Sequence, residues 1–160
     1  VSAVEDRRED APKWLYGLAR VVGRDKQIEG VLGFVPFSMF AFAILQRSLP
    51  HQASAINRDF FWSLGGYDEK IPIAADQMMF LRAANYAPPL ALADFLCDFD
   101  STGISTGRSG WVHYRESASN LWQLGVPVTR SRVLDIVLAS SHALIRDIRR
   151  SIRMAVTRRR

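Results

Sequence analysis

Residues 51–82 read HQASAINRDFFWSLGGYDEKIPIAADQMMFLR, and the punctuation of this stretch decides the fold. Asn57 stands just ahead of Arg58–Leu64. Its short polar side chain can accept an otherwise unpaired amide of a helix's first turn, so a helix is predicted over those residues. Gly65-Gly66 stops that helix, because glycine enters the left-handed conformation at no steric cost. Tyr67-Asp68-Glu69-Lys70 forms the following turn. A second helix is predicted over Asp76–Tyr86, with Met79, Phe80 and Ala83 on one face, and Pro88-Pro89 ends it. His51–Ile56, behind Pro50, reads as a short strand.

Outward from this stretch the pattern continues. Leu90–Phe99 is rich in apolar residues and reads as a strand beside the one that follows His51. Ser101–Gly110 holds serine, threonine and glycine and reads as loop, and Val112–Leu124 as a helix ended by Gly125 and Pro127. Upstream, residues 1–12 read as edge or linker. Trp14, Leu15, Leu18, Ala19 and Val22 recur at helical spacing, so Lys13–Val22 is predicted helical, with Gly23 as its stop. Val31–Leu49 reads as an apolar helix, or two short ones, broken at Pro36. Helices and strands alternating in this way argue an α/β fold of few strands flanked by helices.

The last element carries two signals. Leu134, Val137, Leu138, Ile145, Ile148, Ile152 and Val156 form one stripe at helical spacing, flanked by His142, Arg146, Arg149, Arg150 and Arg153. The chain's formal charge is +5. Residues 146–160 contain seven arginines and one aspartate and carry +6, leaving −1 for the rest. The basic character therefore belongs to the tail, which fits an anionic surface such as lipid headgroups, or else a solvated helix face. A nearly neutral body without interleaved basic and aromatic residues argues against nucleic acid.

The uncharged run VLGFVPFSMFAFAIL at 31–45 is shorter than the roughly 20 residues a spanning helix needs, and Pro36 interrupts it. A buried segment, or one that touches the bilayer face, is expected there. Cys97 is the one cysteine, so no intramolecular disulfide forms, which fits a reducing compartment, the cytoplasm. There is no zinc-ligand spacing, no Walker loop and no Gly-x-Gly-x-x-Gly.

His51-Gln52, then Gly65-Gly66-Tyr67-Asp68-Glu69, then Ala74-Ala75-Asp76 opening a helix that reaches Leu81-Arg82, then Ser101-Thr102-Gly103-Ile104-Ser105, stand in one order. As an ordered set they resemble the C-terminal half of family 2 glycosyltransferases. The resemblance covers His51 to Ser105 well and is weak on either side. It implies the C-terminal, acceptor-side portion of a GT-A domain, a Rossmann-like nucleotide-sugar transferase. That portion would occupy residues 1–110, and a helical extension with a basic tail would occupy 111–160. The donor-binding half would lie outside this chain. So would the Asp-x-Asp that holds a divalent metal, magnesium or manganese, in the intact enzyme. No Asp-x-Asp precedes His51, and Asp98-Phe99-Asp100 falls after the base position. No metal is expected on this chain.

The resemblance also distributes roles. An acidic pair opens the corresponding helix in the family, and its second member is the base. Here Ala75 replaces the first and Asp76 keeps the second place. A base must take the proton from an acceptor hydroxyl as it attacks the anomeric carbon, and a helix N-terminus favours the ionised carboxylate. Read alone, Asp76 is equally a helix cap. Substrate-contacting roles fall on His51, Gln52, Gly66, Asp68, Arg82 and Ser105. Against these stand plainer readings: His51 as a structural histidine, Gly65-Gly66 as a helix stop, Asp68 as an Asx-turn, and Arg82 as a salt-bridge partner tying its helix to the sheet. Thr102 replaces the first of two glycines usual in the last motif. The Gln-x-x-Arg-Trp of processive synthases is absent, which argues against chain polymerisation. The expected activity is inverting transfer from a nucleoside-diphosphate sugar to a glycan or lipid-linked acceptor in cell-surface polysaccharide synthesis. The basic helix would hold the protein on the inner face of the cytoplasmic membrane. The alternative is a non-catalytic module of the same fold that docks on anionic membrane.

Overall fold

The computed structural model describes residues 11–71, 75–101 and 126–157. Its elements are β1 (Trp14–Val22), β2 (Ile28–Leu32), α1 (Met39–Ala43), β3 (Ser54–Ile56), α2 (Arg58–Ser63), α3 (Ala75–Tyr86), β4 (Leu90–Asp100) and α4 (Arg132–Thr157). A 3-10 turn at His51–Ala53 leads into β3. This is a mixed α/β arrangement. The boundary expected at 110/111, the Val112–Leu124 helix, most of the Ser101–Gly110 loop and Ser105 lie outside the described residues.

β1 is the centre of the sheet. β4 runs parallel to it from Leu15↔Leu90 to Val22↔Asp100. The other edge is shared by two antiparallel strands: β3 pairs with Trp14–Tyr16, and β2 pairs with Ala19–Val22. Two expectations are corrected here. Lys13–Val22 is a strand, not a helix, and the Leu90–Asp100 strand lies beside β1, with β1 between it and the strand that follows His51.

The misleading periodicity has a physical origin. Trp14 and Tyr16 are buried, but so are Gly17 and Ala19, after which Arg20 is exposed. A strand covered on both faces loses its two-residue alternation and cannot be told from a helix by spacing alone. Local preference was the better guide, since Trp14, Tyr16, Val21 and Val22 are aromatic or β-branched. The pairing with β4 is also uneven. β1 advances three residues from Tyr16 to Ala19 while β4 advances six, from Ala91 to Cys97. β4 therefore carries the bulge. Gly17 faces it, and a Cβ on Gly17 would lie 2.5 Å from Leu96 Cγ and 2.9 Å from the Asp94 carbonyl oxygen.

The apolar run at 31–45 is also corrected. Its start closes β2, Gly33 turns the chain at φ +98°, and the Val35–Pro36 bond is cis. Only Met39–Ala43 is helical, started by Ser38, whose hydroxyl accepts the Ala41 amide at 3.2 Å. Burial is as expected for Phe34, Phe42, Ala43 and Ile44, while Val31, Val35 and Phe40 remain exposed. Among the described residues no helix is long and apolar enough to cross a membrane.

The core gathers Trp14, Tyr16, Phe34, Phe42, Ile44, Leu49, Met78, Phe80, Leu81 and Ala139. The Trp14 ring stacks on Phe80 at 5.4 Å, and Phe34 stacks on Phe37 at 6.2 Å. Each fully buried large apolar side chain stabilises the fold by about 1.5–3 kcal/mol. Tyr16 is fully buried and donates its hydroxyl to the Phe34 carbonyl. Burial pushes its pKa up to about 12, with the Arg47 guanidinium pulling weakly the other way.

Two outcomes follow from this packing. Gly17→Ala should destabilise the fold by about 1–3 kcal/mol, the usual cost of overpacking, because the bulge backbone must move; an unchanged melting temperature would contradict the close approach. Tyr16 is neutral in the folded chain at a pH where the unfolded chain ionises it. Its contribution is complete below pH 10 and is lost as pH rises toward 12. Denaturant unfolding across that window should show stability falling, and Tyr16→Phe should flatten the fall.

Candidate functional site

Three elements bring the sequence-predicted residues together. The first is the turn at His51–Ala53, placed by Pro50 behind it and β3 ahead of it. The second is the C-terminal end of α2. Asn57 caps this helix as expected, with Oδ1 accepting the Phe60 amide at 3.0 Å. Gly65 and Gly66 end it at φ +86° and +66°, and their amides return to the carbonyls of Trp62 (3.0 Å) and Phe61 (3.1 Å). The third is the first turn of α3, which carries Asp76.

Tyr67 links all three. Its hydroxyl lies 2.9 Å from His51 Nε2, a hydrogen bond whose direction follows the imidazole tautomer. Its ring meets Phe61 edge-on at 5.0 Å. Burial raises the Tyr67 pKa first, and the Asp76 charge raises it further. Asp76 is therefore close enough to Tyr67 for its charge to be felt. His51 also leans on the core, 6.2 Å from Phe80, the ring that stacks on Trp14. His51 and Tyr67 are exposed and Asp76 is half-buried, so the group is open to solvent.

The Asp76 carboxylate accepts its neighbour's amide, Gln77 N, at 2.8 Å through Oδ1. That bond orients the carboxylate, and Oδ2 takes no hydrogen bond among the described residues. Gln77 performs the joining. Its Nε2 donates to the Leu49 carbonyl at 2.9 Å, and its Oε1 accepts the Leu49 amide at 3.3 Å. This two-way bond pins the start of α3 to the segment that leads into His51.

Arg82 acts on the glycine turn. Nη1 donates to the Leu64 carbonyl at 2.9 Å and Nη2 to the Gly66 carbonyl at 2.5 Å. In place of the tie expected from Arg82 to the sheet, the described residues show a clamp on two main-chain carbonyls beside Tyr67, with no carboxylate among them. A planar guanidinium suits this two-pronged contact. Gly66 is buried and its carbonyl is occupied, while Gly65 is exposed. Asp68 makes the Asx-turn of its plainer reading, Oδ1 accepting the Lys70 amide at 3.0 Å. Gln52 is exposed on the turn next to His51. Spacing gave no sign of the parts played by Tyr67 and Gln77. Tyr67 sits in the motif where its neighbours indicate only a turn, and Gln77 has no motif at all.

Among the described residues no three His, Cys, Asp or Glu side chains gather closely enough to hold a metal ion. The Asp98-Phe99-Asp100 run ends β4. Asp98 pairs with Arg20 at 2.6 Å, and Arg20, Gly23, Arg24, Asp98 and Asp100 border an open hollow of about 950 Å³ that includes neither His51, Tyr67 nor Asp76.

No family model matches the chain, and no solved structure matches it. Two proteins from two strains of Mycobacterium tuberculosis, each named an uncharacterized glycosyltransferase, are 37% identical to it over 108 residues. The aligned region is 68% of this chain and 40% of each relative, so the chain spans about two fifths of the length of the curated relatives it matches. The similarity is therefore to part of proteins named glycosyltransferases.

The electrostatic contact between Asp76 and Tyr67 is open to direct measurement. Asp76→Asn should lower the Tyr67 pKa, leaving only the elevation due to burial. Titration of the tyrosine ring carbons by NMR reads this, with Tyr16 as the internal control. A Tyr67 titration identical in both proteins would place Asp76 out of range.

Proposed function

We propose that this chain is the acceptor-side part of an inverting, family 2 glycosyltransferase of GT-A fold, with Asp76 as the base. The observation that carries the reading is the convergence of Asp76, Tyr67 and His51 at one solvent-open place, on three elements tied by Gln77 and Arg82. The relatives' printed names support transfer of a sugar. The ordered motifs from His51 to Arg82 support the family.

The chemistry assigned to these residues is a single displacement. An acceptor hydroxyl approaches Asp76, whose Oδ2 accepts its proton while the hydroxyl oxygen bonds to the anomeric carbon. The bond from that carbon to the donor's diphosphate breaks, its electron pair leaves with the diphosphate, and the anomeric configuration inverts. The hydrogen bond of Asp76 Oδ1 to the Gln77 amide keeps the carboxylate oriented through the proton transfer. Tyr67 and His51 form a polar wall beside the base that can hold a neighbouring sugar hydroxyl, and Gln52 and Asp68 extend that wall. In this reading, as the family resemblance implies, the donor diphosphate and a magnesium or manganese ion are held by a donor-binding half outside these 160 residues; that ion would offset the charge of the leaving diphosphate. The acceptor class proposed is a glycan or lipid-linked sugar of a surface polysaccharide.

In the full-length protein, Asp76→Asn should lower transfer about 100- to 10,000-fold, the range for loss of a general base, with donor affinity nearly unchanged. Product release from a panel of nucleotide sugars, together with calorimetric donor binding, separates the two quantities. Turnover at the wild-type rate would remove Asp76 as the base.

A further inference from the structure

The C-terminal helix is attached to the body by the side opposite its apolar stripe. Asp135, Ala139 and Ala143 follow one another at intervals of four and are buried at 2%, 0% and 0% exposure. Ala139 belongs to the core. The buried Asp135 carboxylate accepts the amides of Val128 at 2.7 Å and Thr129 at 2.9 Å, and also the Thr129 hydroxyl. This locks the rotation of α4 about its axis. At about 100° per residue, Leu134, Val137, Ile145, Ile148 and Ile152 then fall on the far side. They are 45%, 51%, 48%, 50% and 59% exposed. Five large aliphatic side chains in one line, turned away from the core, are a surface that water alone does not account for.

The charge along the second half of the helix is mainly positive. From His142 onward the side of the helix that faced the body carries His142, Arg146, Arg149 and Arg150, which border a hollow of about 290 Å³. His142 Nδ1 is buried there without a hydrogen-bond partner among the described residues. The sequence continues with Arg153 and Arg158–Arg160. Of the two acids on the helix, Asp135 is consumed by the loop before it, which leaves Asp147 among the arginines.

We propose that α4 is an interfacial anchor that lies in the surface of an anionic lipid bilayer, its outward stripe sunk to the acyl boundary and its arginines reaching lipid phosphates. An apolar line on one face, with arginines on its flank and on the opposite face, is the arrangement that binds such a surface, because long cationic side chains can reach to headgroup level while their stems lie along the helix. A water-soluble protein partner would require acids in register with these arginines. A bilayer requires only a continuous negative surface, which suits cations spread over several turns. The proposal is independent of any role for Asp76.

The test is sedimentation of the full-length protein with phosphatidylcholine vesicles, with and without phosphatidylglycerol. Binding is expected to the anionic vesicles and to weaken with added salt. Replacing Arg146 and Arg149 together with glutamine should weaken it about thirtyfold, at roughly 1 kcal/mol per charge near the surface. Ile145→Asp with Ile148→Asp should abolish it while circular dichroism stays unchanged, since both side chains are already half in water. If the aspartate variant fails to fold, the arginine pair and the salt series still decide the matter. Equal binding to neutral vesicles, or no binding, would overturn the proposal. So would a dimer in analytical ultracentrifugation that Ile148→Asp disperses, because a second copy would then cover the stripe. Displacement by inorganic phosphate but not by chloride at equal ionic strength would instead assign the His142 hollow to a free phosphate, and would also overturn it.

Discussion

The stack of Trp14 on Phe80 holds the rest of the molecule in place. Trp14 opens the central strand and Phe80 lies midway along α3, so one 5.4 Å contact sets the helix against the sheet. The indole does more than fill space. Its Nε1 donates to the Ala87 carbonyl at 2.8 Å, just past the end of α3. The helix is thus fixed near its middle by the stack and at its end by the hydrogen bond. Phe80 passes the constraint on to His51. An aromatic pair of this kind adds about 0.5–1.5 kcal/mol beyond its burial. Its greater consequence is geometric, because it sets where the first turn of α3, and therefore Asp76, can stand.

The candidate site is then assembled largely by bonds between side chains and main chain. Gln77 closes on Leu49, and Arg82 closes on Leu64 and Gly66. Such contacts ask little of the residues they hold, since every residue has a carbonyl. The turn that presents Tyr67 can therefore change its side chains while keeping its position. The two glycines are different. At φ +86° and +66° another residue would be strained, and at Gly66 a Cβ would also press on the Trp62 ring at 3.1 Å.

Legibility in the sequence followed the range of the interaction. The Asn57 cap, the Gly65-Gly66 stop and the helix at Asp76 depend on neighbours within a few residues, and each is where local chemistry placed it. The strand at Leu90 is also readable, but its neighbour is not, because pairing joins residues far apart in sequence, as Leu15 with Leu90 and Val22 with Asp100. Lys13–Val22 failed for the same reason. Its burial on both faces comes from distant partners, and the bulge in β4 that lets Gly17 approach Asp94 is invisible in either segment alone. At the site, Asp76 and His51 were legible through motif order. Tyr67 and Gln77 matter because of where the fold brings them, which no spacing records.

Among the described residues, the exposed apolar side chains of β4 and of α4 differ in the charges around them. β4 exposes Leu90, Phe95 and Leu96, and among the described residues no strand pairs with its outer edge. An open edge of this kind invites pairing with another chain. Here Asp94, Asp98 and Asp100 are interspersed along the strand, and Asp98 is held by Arg20. Acids so placed discourage edge-to-edge contact between copies, since like charges would meet. They would equally be repelled by an anionic surface. The stripe on α4 has the opposite company, arginines along its flank. Although both surfaces expose comparable aliphatic and aromatic side chains, a negatively charged bilayer would distinguish them by sign. The strand would be turned away and the helix drawn in, so charge, more than apolar area, would set how the molecule lies at such a surface.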